Sequence, residues 1–232
     1  MLKNALLLFA PVLAALLGAG CASSSPKTPP SRAAAPAPSA VPDAEGWRSL
    51  FDGKTLAGWK ESDFIGKGKV SVANGEVTLK SGYMTGITWA NEADLLRMNY
   101  ELSLDAKRTE GGDFFCGLTF PVSTNPCTLV VGGWGGSLVG LSCLDGEDAA
   151  NNETTKSMEF KQDRWYHVRV QVTPKKIRAW IDDEKLVDVD TTDRRISIRL
   201  EVEPCVPLGV ATWSTTGVLR NFRVRPLPKE EL

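Results

Sequence analysis

The sequence predicts an all-β protein, a jelly-roll sandwich of two antiparallel sheets. Apolar and polar side chains alternate over Tyr100–Lys107, over Trp165–Thr173 and over Ile196–Val202. This period of two is typical of strands that place one face in a core and the other in water. About a dozen such short strands, joined by tight turns within roughly 180 residues, favour the sandwich over a helical fold.

The other elements are predicted from short apolar runs that turn residues interrupt. Asn74-Gly75 predicts a type I′ hairpin, and Ile181–Leu186 predicts a second hairpin. Asn91–Arg97 is predicted to be a helical turn with Asn91 as its cap. The other predicted strands are Lys69–Ala73, Glu76–Lys80, Phe114–Val122, Thr128–Val131, Leu138–Leu144, Ile177–Ile181, Leu186–Asp190, Leu208–Trp213 and Val218–Arg225. We expect one core between the sheets, which includes Leu102, Leu104, Val168, Val170, Ile198 and Leu200.

The N-terminus is predicted to be an export signal rather than part of the fold. Lys3 precedes the apolar run Ala5–Leu17, which is too short to span a bilayer and fits a signal-peptide h-region. The run ends at Leu-Gly-Ala-Gly-Cys, which resembles a bacterial lipoprotein box with Cys21 as the lipidated residue. An ordinary secretory cleavage site is the alternative. Lipidation predicts an exported protein that contacts the cell-envelope membrane through its lipid anchor alone, on the periplasmic or surface face.

The domain organisation follows from the composition of the segments after residue 21. Residues 22–45 are mostly Pro, Ala and Ser and are expected to form a disordered linker, because they have too little apolar surface to form a core. Residues 46–228 have the size of a single domain, and 229–232 are expected to be a tail. Charge is balanced, with 27 basic and 28 acidic residues, which gives no reason to expect a nucleic-acid partner.

Cysteines define neither a metal site nor a unique set of disulfides. Four remain after the lipobox-like cysteine, and in an exported protein they permit disulfides with three possible connectivities. These residues are Cys116, Cys127, Cys143 and Cys205. A CxxC pair is absent from the sequence, so we expect no zinc site, and no other metal or cofactor is predicted.

The glycine-rich stretch 111–153 is the first candidate functional surface. Asp113 opens it, Trp134 stands between two Gly-Gly pairs, and a polar loop with Asp145 and Asn152 follows. Glycine density inside strands often marks close approach of backbone or ligand, and tryptophan can stack on the apolar face of a sugar. The alternative is tight sandwich strands followed by a solvated loop.

A second set of candidates lies further along the chain. Arg199 and Glu201 fall on the outward face of the predicted strand Ile196–Val202, and Trp213 lies at the end of another strand. An outward Arg/Glu pair can act on one ligand, although it can equally be a surface ion pair. The single histidine, His167, is interpreted as an outward, solvated side chain.

The string Ser49-Leu-Phe-Asp-Gly-Lys-Thr-Leu-Ala-Gly-Trp59 resembles the opening signature of the 3-keto-disaccharide hydrolase family, which is abundant in environmental bacteria. Tyr100–Lys107, Trp165–Asp183 and Gly209–Leu227 agree with that family, whereas Gly111–Val122 and Leu129–Asp145 depart from it. The resemblance implies a concanavalin-like, laminin-G-like jelly roll. It also implies hydrolase or lyase activity on 3-keto-glycosides, including oxidised disaccharides, that begins with removal of the C2 proton.

That chemistry requires a base, a donor to the enolate oxygen and an acid for the leaving group. We expect Glu201 to be the base, Arg199 the donor and Asp113 a further catalytic carboxylate. We also expect Trp134 to stack on the sugar. Trp213, Asp145 and Asn152 would complete the substrate-binding set. One cleft is predicted to be bordered by Asp113, Trp134, Asp145, Arg199 and Glu201. Arg199 should lower the pKa of Glu201. A non-catalytic, lectin-like carbohydrate-binding module is the alternative function.

Overall fold

The computed structural model describes residues 41–228, which form two antiparallel β-sheets. Fifteen strands and two short 3₁₀ helices make up the described part of the chain. The strands are β1 Arg48–Ser49, β2 Trp59–Glu61, β3 Val70–Ala73, β4 Glu76–Leu79, β5 Met84–Trp89, β6 Tyr100–Glu110, β7 Cys116–Val122, β8 Asn125–Gly133, β9 Leu138–Ser142, β10 Lys156–Ser157, β11 Tyr166–Val172, β12 Lys176–Ile181, β13 Glu184–Asp190, β14 Gly209–Trp213 and β15 Thr216–Pro226. The 3₁₀ helices are η1 Glu92–Asp94 and η2 Leu200–Cys205.

The two sheets have eight and seven strands. The eight-stranded sheet has the order β13-β12-β11-β6-β15-β4-β3, with β1 paired to β15, and the seven-stranded sheet has the order β10-β9-β8-β7-β14-β5-β2. Hairpin-connected strands such as β11, β12 and β13 lie side by side, while other neighbours come from distant parts of the sequence, as in β6 beside β15 and β7 beside β14. The predicted all-β jelly roll of two antiparallel sheets is confirmed.

The main core lies between the inner faces of the sheets. Val168 opposes Leu104 and Val170 opposes Leu102 across β11 and β6, and all four side chains are buried. These four residues occupy the predicted core because their period-two spacing turns each of them to the same face. Burying apolar side chains of this size stabilises the fold by about 1.5–3 kcal/mol each.

The predicted strand Ile196–Val202 is wrong. Only Ile196 forms a β-bridge, with Leu144, and the chain then enters the 3₁₀ helix η2. Pro204 lies inside that helix, and proline can donate no hydrogen bond to a ladder. Leu200 is therefore 82 % exposed instead of lying in the core. Ile198 is half-buried and packs against a separate cluster, so its predicted place in the main core is also wrong.

Residues 196–206, the covering segment, pack on the outer face of the seven-stranded sheet. Val202 and Cys205 form a second apolar cluster there with Phe64, Met84 and Ala211. At the end of the segment, the Thr88 hydroxyl donates to the Pro204 carbonyl at 2.6 Å. This second layer explains why β7 is buried along its whole length rather than on alternate residues.

The two predicted hairpins are confirmed, and the first of them has the residue types that its turn requires. Asn74 and Gly75 both have positive φ, as a type I′ hairpin between β3 and β4 requires. The hairpin between β12 and β13 is also present. The expected helical turn is the short helix η1, but Asn91 makes no side-chain capping hydrogen bond.

Several sequence predictions lie outside the described residues. These are the signal peptide 1–21 with Cys21, most of the linker 22–45, and the tail 229–232. Within residues 41–228, no helix is long and apolar enough to cross a membrane. The four cysteines of the domain are all buried free thiols rather than disulfides.

Candidate functional site

A cavity of about 290 Å³ lies on the outer face of the seven-stranded sheet, beside the covering segment. Its floor comes from residues that alternate with core residues, such as Thr128 and Val130 on either side of the buried Leu129. The covering segment supplies one wall. The full lining is Met84, Asp113, Phe114, Gly117, Thr128, Val130, Trp134, Ser142, Arg199, Glu201, Val202 and Trp213. Five of the predicted site residues therefore meet here: Asp113, Trp134, Arg199, Glu201 and Trp213.

Arg199 and Glu201 form a two-point ion pair at this wall. The Nη2 and Nε atoms of Arg199 donate to the two carboxylate oxygens of Glu201 at 2.6 and 3.3 Å. The hydrogen bonds from Arg199 hold the pKa of Glu201 below its ordinary value, and the same bonds raise the pKa of Arg199. Glu201 is therefore an ionised carboxylate at neutral pH, as predicted.

Asp148 is the second carboxylate on Arg199. Its Oδ2 accepts from Nη1 of Arg199 at 2.8 Å, so the guanidinium bridges two acidic side chains. The other oxygen of Asp148 accepts from the Ala150 N–H and from the Asn151 amide. Asp148 thus fixes the side of Arg199 that faces away from Glu201.

A second, more open hollow of about 440 Å³ lies on the other side of the ion pair. Arg199 and Glu201 line both spaces and form the wall between them. The rest of its lining mixes polar and apolar residues, namely Cys143, Gly146, Glu147, Asp148, Asn151, Ile198 and Leu200. The site therefore consists of an aromatic cavity and a polar hollow that share one charged wall.

Aromatic side chains form the opposite rim of the cavity. Trp213 lies 4.6 Å from Tyr83 and 6.4 Å from Phe114, measured between ring centroids. Tyr83 is 59 % exposed and Trp134 is 47 % exposed. Exposed aromatic rings beside a cavity give flat apolar surfaces on which a sugar ring can stack.

Trp134 stands at the tip of the β8–β9 hairpin. The Gly136 N–H donates to the Gly133 carbonyl at 3.1 Å, and both Trp134 and Gly135 have positive φ, as in a type I′ turn. Asp113 contacts this turn, because its Oδ2 accepts from the Gly135 N–H at 3.2 Å. Asp113, Trp134 and Gly135 are thus positioned together at the cavity rim.

Asp145 and Asn152 line neither the cavity nor the hollow, so the structure does not bring them together with the other predicted site residues. Asp145 forms an ion pair with Arg194 and accepts from the Arg195 N–H at 2.8 Å. Asn152 donates to the carbonyls of Leu141, Glu147 and Asp148, and so its amide ties the polar loop together. Both side chains make their hydrogen bonds within the loop and its neighbouring segment.

His167 lies on the outer face of the other sheet, as the alternation predicts, but it is not a free, solvated side chain. Its Nδ1 is 2.8 Å from the carboxylate of Asp105, and the side chain is about one-third exposed. Its position on the eight-stranded sheet separates it from the cavity. His167 therefore has no part in the candidate site.

Sequence reasoning missed several residues of the site. Asp148 belongs to the same acidic loop as Asp145, and no pattern in the sequence distinguishes which of the two faces Arg199. Phe114 and Val202 read as ordinary apolar positions, whereas Tyr83 follows a Ser-Gly turn and shows no periodicity. Among residues 41–228, no group of three or more His, Cys, Asp and Glu side chains could hold a metal ion.

Lectin domains are among the jelly rolls, and an apolar cavity with a few converging polar groups is the usual form of a small-molecule site. The profile of the 3-keto-alpha-glucoside-1,2-lyase-like domain matches residues 46–225. The chain belongs to this family, as its opening signature predicts, and its function is therefore related to carbohydrates. A search of curated proteins found no match.

Solved structures with the same fold share little sequence with this chain. The carbohydrate-binding module CBM66 from Bacillus subtilis is 13% identical with a TM-score of 0.52, over 77% of this chain and 99% of that chain. The apo Crh5 transglycosylase gives the same identity and TM-score over 79% and 84% of the two chains. Domain 4 of AbnA, an extracellular arabinanase from Geobacillus stearothermophilus in complex with arabinotriose, is 13% identical with a TM-score of 0.50, over 78% and 91%. These similarities establish the fold.

Proposed function

We propose that the protein is an enzyme that cleaves 3-keto-glycosides, with an oxidised disaccharide as substrate. The observation that carries the proposal is the placement of Arg199 and Glu201 on the wall between the aromatic cavity and the polar hollow. When one ring occupies each space, the bond that joins the two sugar rings would lie beside this ion pair. Family membership supports the choice of a 3-keto sugar.

Glu201 is the proposed base. The ketone at C3 acidifies the hydrogen at C2, and a carboxylate that is ionised at neutral pH can accept that proton. Arg199 occupies one lone pair on each oxygen of Glu201, whereas a carboxylate has about four acceptor positions, so acceptor capacity remains. The electron pair of the broken C2–H bond forms an enolate whose negative oxygen Arg199 can stabilise.

Cleavage then completes a 1,2-elimination. The enolate electrons form a C1=C2 double bond, the C3 ketone is restored, and the C1–O bond breaks. The leaving oxygen takes the proton that Glu201 removed, which returns the carboxylate to its starting state. Addition of water across the C1=C2 bond of the unsaturated product gives net hydrolysis.

The two spaces suggest where the rings bind. Trp134 and Trp213 offer stacking surfaces to the oxidised ring in the cavity. Glu147 and Asn151 offer polar groups to the hydroxyls of the leaving sugar in the hollow. Volumes of about 290 and 440 Å³ give each space room for a sugar ring.

A turnover assay with purified residues 46–232 tests this proposal. The substrates are 3-keto-trehalose and 3-keto-lactose, with trehalose and lactose as matched controls that lack the ketone. We expect release of a free monosaccharide from the keto sugars alone. Failure to cleave any keto sugar, at protein concentrations that give detectable binding, would reject the enzymatic role.

A non-catalytic carbohydrate-binding module is the second candidate. The observation that favours it is that both carboxylates at the cavity are held by strong partners, Glu201 by Arg199 and Asp113 by backbone N–H groups. Aromatic rims on an open sheet face also suit binding without chemistry. Sugar affinity without turnover, measured by calorimetry on the same substrates, would support this function.

We further propose that the protein is exported and anchored through a lipid on Cys21. The apolar run Ala5–Leu17 and the lipobox-like end support the proposal. The substitution Cys21→Ser should move the protein from the membrane fraction to the soluble fraction. Unchanged partition between the two fractions would contradict lipidation.

A further inference from the structure

Asp113 connects the turn that carries Trp134 with the turn that follows Trp213 at the rim of the cavity. Its Oδ2 accepts from the Gly135 N–H at 3.2 Å, in the turn that presents Trp134. Its own N–H donates to the Thr215 hydroxyl at 3.0 Å, in the turn that follows Trp213. One residue is therefore bonded to both turns, and the rings of Trp134 and Trp213 line the cavity.

The Trp134 turn requires such support. Trp134 has a φ of +47°, a left-handed conformation that bulky residues rarely adopt and that costs roughly 1–2 kcal/mol per residue. Residues in such conformations persist where surrounding contacts hold them, and these residues concentrate at ligand sites. The contacts here are the Gly136–Gly133 turn bond, the Asp113–Gly135 bond, and the 3.3 Å contact from Arg108 to the Gly136 carbonyl.

Both oxygens of the Asp113 carboxylate accept hydrogen bonds from backbone N–H groups. Oδ1 accepts from the Phe114 N–H at 2.7 Å while Oδ2 accepts from Gly135. Hydrogen bonds from two backbone N–H groups fix the orientation of the carboxylate. This geometry is that of a carboxylate that organises backbone rather than one that acts on a substrate.

We propose that Asp113 is a positioning residue that holds Trp134 in its sugar-stacking conformation. The inference deepens the proposed sugar-binding function and rests on it for the identity of the ligand. Asp113 contributes to affinity through Trp134 rather than to the chemical step. This positioning role replaces the catalytic role that the sequence analysis assigns to the Asp113 carboxylate.

Calorimetry with 3-keto-trehalose tests the proposal, with Glu201→Gln in every variant so that the sugar is not consumed. Asp113→Ala should weaken binding by about fivefold to tenfold, close to the effect of Trp134→Ala. The double variant should bind no more weakly than Trp134→Ala alone, because both changes remove the same contact. Asp113→Asn keeps one of the two acceptor bonds and should fall between wild type and Asp113→Ala.

Asp52→Ala is the matched control. The Asp52 carboxylate also accepts from two backbone N–H groups, those of Lys54 and Thr55, but it does not line the cavity. Its variant should bind the sugar as tightly as the parent protein. With Glu201 intact, Asp113→Asn should raise KM and leave kcat within about twofold.

Two results would overturn the inference. Full affinity in Asp113→Ala would show that Asp113 does not position Trp134, and a large loss of kcat in Asp113→Asn at unchanged affinity would make Asp113 catalytic. If the parent protein binds none of the sugars, the proposed function fails on its own account. The inference is then decided by hydrogen exchange at the Gly135 amide, which Asp113→Ala should accelerate, and unchanged exchange would reject it.

Discussion

The outer faces of the two sheets use the same residue types in opposite ways. On the eight-stranded sheet, the fully buried carboxylate of Glu101 is bound by Arg169 at 2.7 Å and by Arg225 at 2.6 Å. Asp105 is bound there by His167, Arg220 and Asn221. Carboxylates and cations on this face satisfy one another.

Tryptophans show the same contrast. Arg220 lies 4.0 Å from the ring centre of Trp165, and Arg169 lies 4.6 Å from that of Trp180. Among residues 41–228, no cation stacks on Trp134 or Trp213, which face the cavity of the seven-stranded sheet. A polar face whose partners are all internal contributes to stability, whereas a face with open aromatic rings beside an ion pair is available to a ligand.

The largest expected effect is the difference in turnover and stability between a Glu201 variant and a Glu101 variant. Glu201→Gln keeps the shape and removes the proposed base, so turnover should fall by roughly two to four decades while stability changes by less than about 1 kcal/mol. Glu101→Gln removes the charge between two arginines and should lower the free energy of unfolding by about 3 kcal/mol, with specific activity retained. Turnover and urea unfolding of both variants give the comparison, and full activity in Glu201→Gln would reject Glu201 as the base.

The next effect compares the two kinds of tryptophan. Trp134→Ala should weaken the binding of a 3-keto sugar by about tenfold, since stacking on an aromatic ring contributes on the order of 1 kcal/mol or more. Trp180→Ala removes a ring that Arg169 covers on the eight-stranded sheet and should leave affinity unchanged. Calorimetry on both variants checks this, and equal losses of affinity would remove the distinction between the two faces.

A smaller effect concerns pH. The pKa of Glu201 lies below its ordinary value of 4.5, so the base stays ionised above that pH and the acid limb of kcat/KM should lie below pH 4.5. Arg199→Gln removes the hydrogen bonds that lower this pKa and should move the limb to higher pH. The pH profiles of wild type and Arg199→Gln test the shift, and coincident limbs would mean that another group controls it.

The matching experiment on the other sheet uses Asp105. Burial raises the pKa of Asp105, but hydrogen bonds from His167, Asn221 and Arg220 outweigh burial and leave the pKa below 3.8. The stability from this ionised carboxylate is present above about pH 3.8 and is lost as pH falls through the lower folded-state pKa. Asp105→Asn should therefore flatten the acid side of the stability curve and leave the acid limb of activity in place.

The sequence was sufficient to predict the strands in which apolar and polar residues alternate, but it missed β5, which is buried along its whole length and shows no alternation. The strand prediction failed at Ile196–Val202. The alternating residues there lie in a segment that borders the cavity and enters a 3₁₀ helix, and Pro204 keeps this segment out of any β-ladder. Alternation indicates only which side chains are shielded from water. Residues that pack in the second apolar cluster therefore give the same sequence pattern as a strand. Long-range packing decides the difference.

The site was predictable where residues are unusual for their surroundings. Trp134 among glycines and the Arg199–Glu201 pair stand out in the sequence and meet at the cavity. Asp145 and Asp148 could not be distinguished, because the choice depends on how Asn152 folds the loop. Side-chain contacts of this kind produce no periodic pattern in the sequence.

A crystal structure of the Glu201→Gln variant with a bound 3-keto-disaccharide tests the central claim most directly. The account predicts an oxidised ring on Trp134 in the cavity, the second ring in the hollow, and C2 beside the substituted residue 201. Sugar bound on the Arg–Trp face of the eight-stranded sheet, or in a pose that leaves Arg199 and residue 201 without contact, would contradict it.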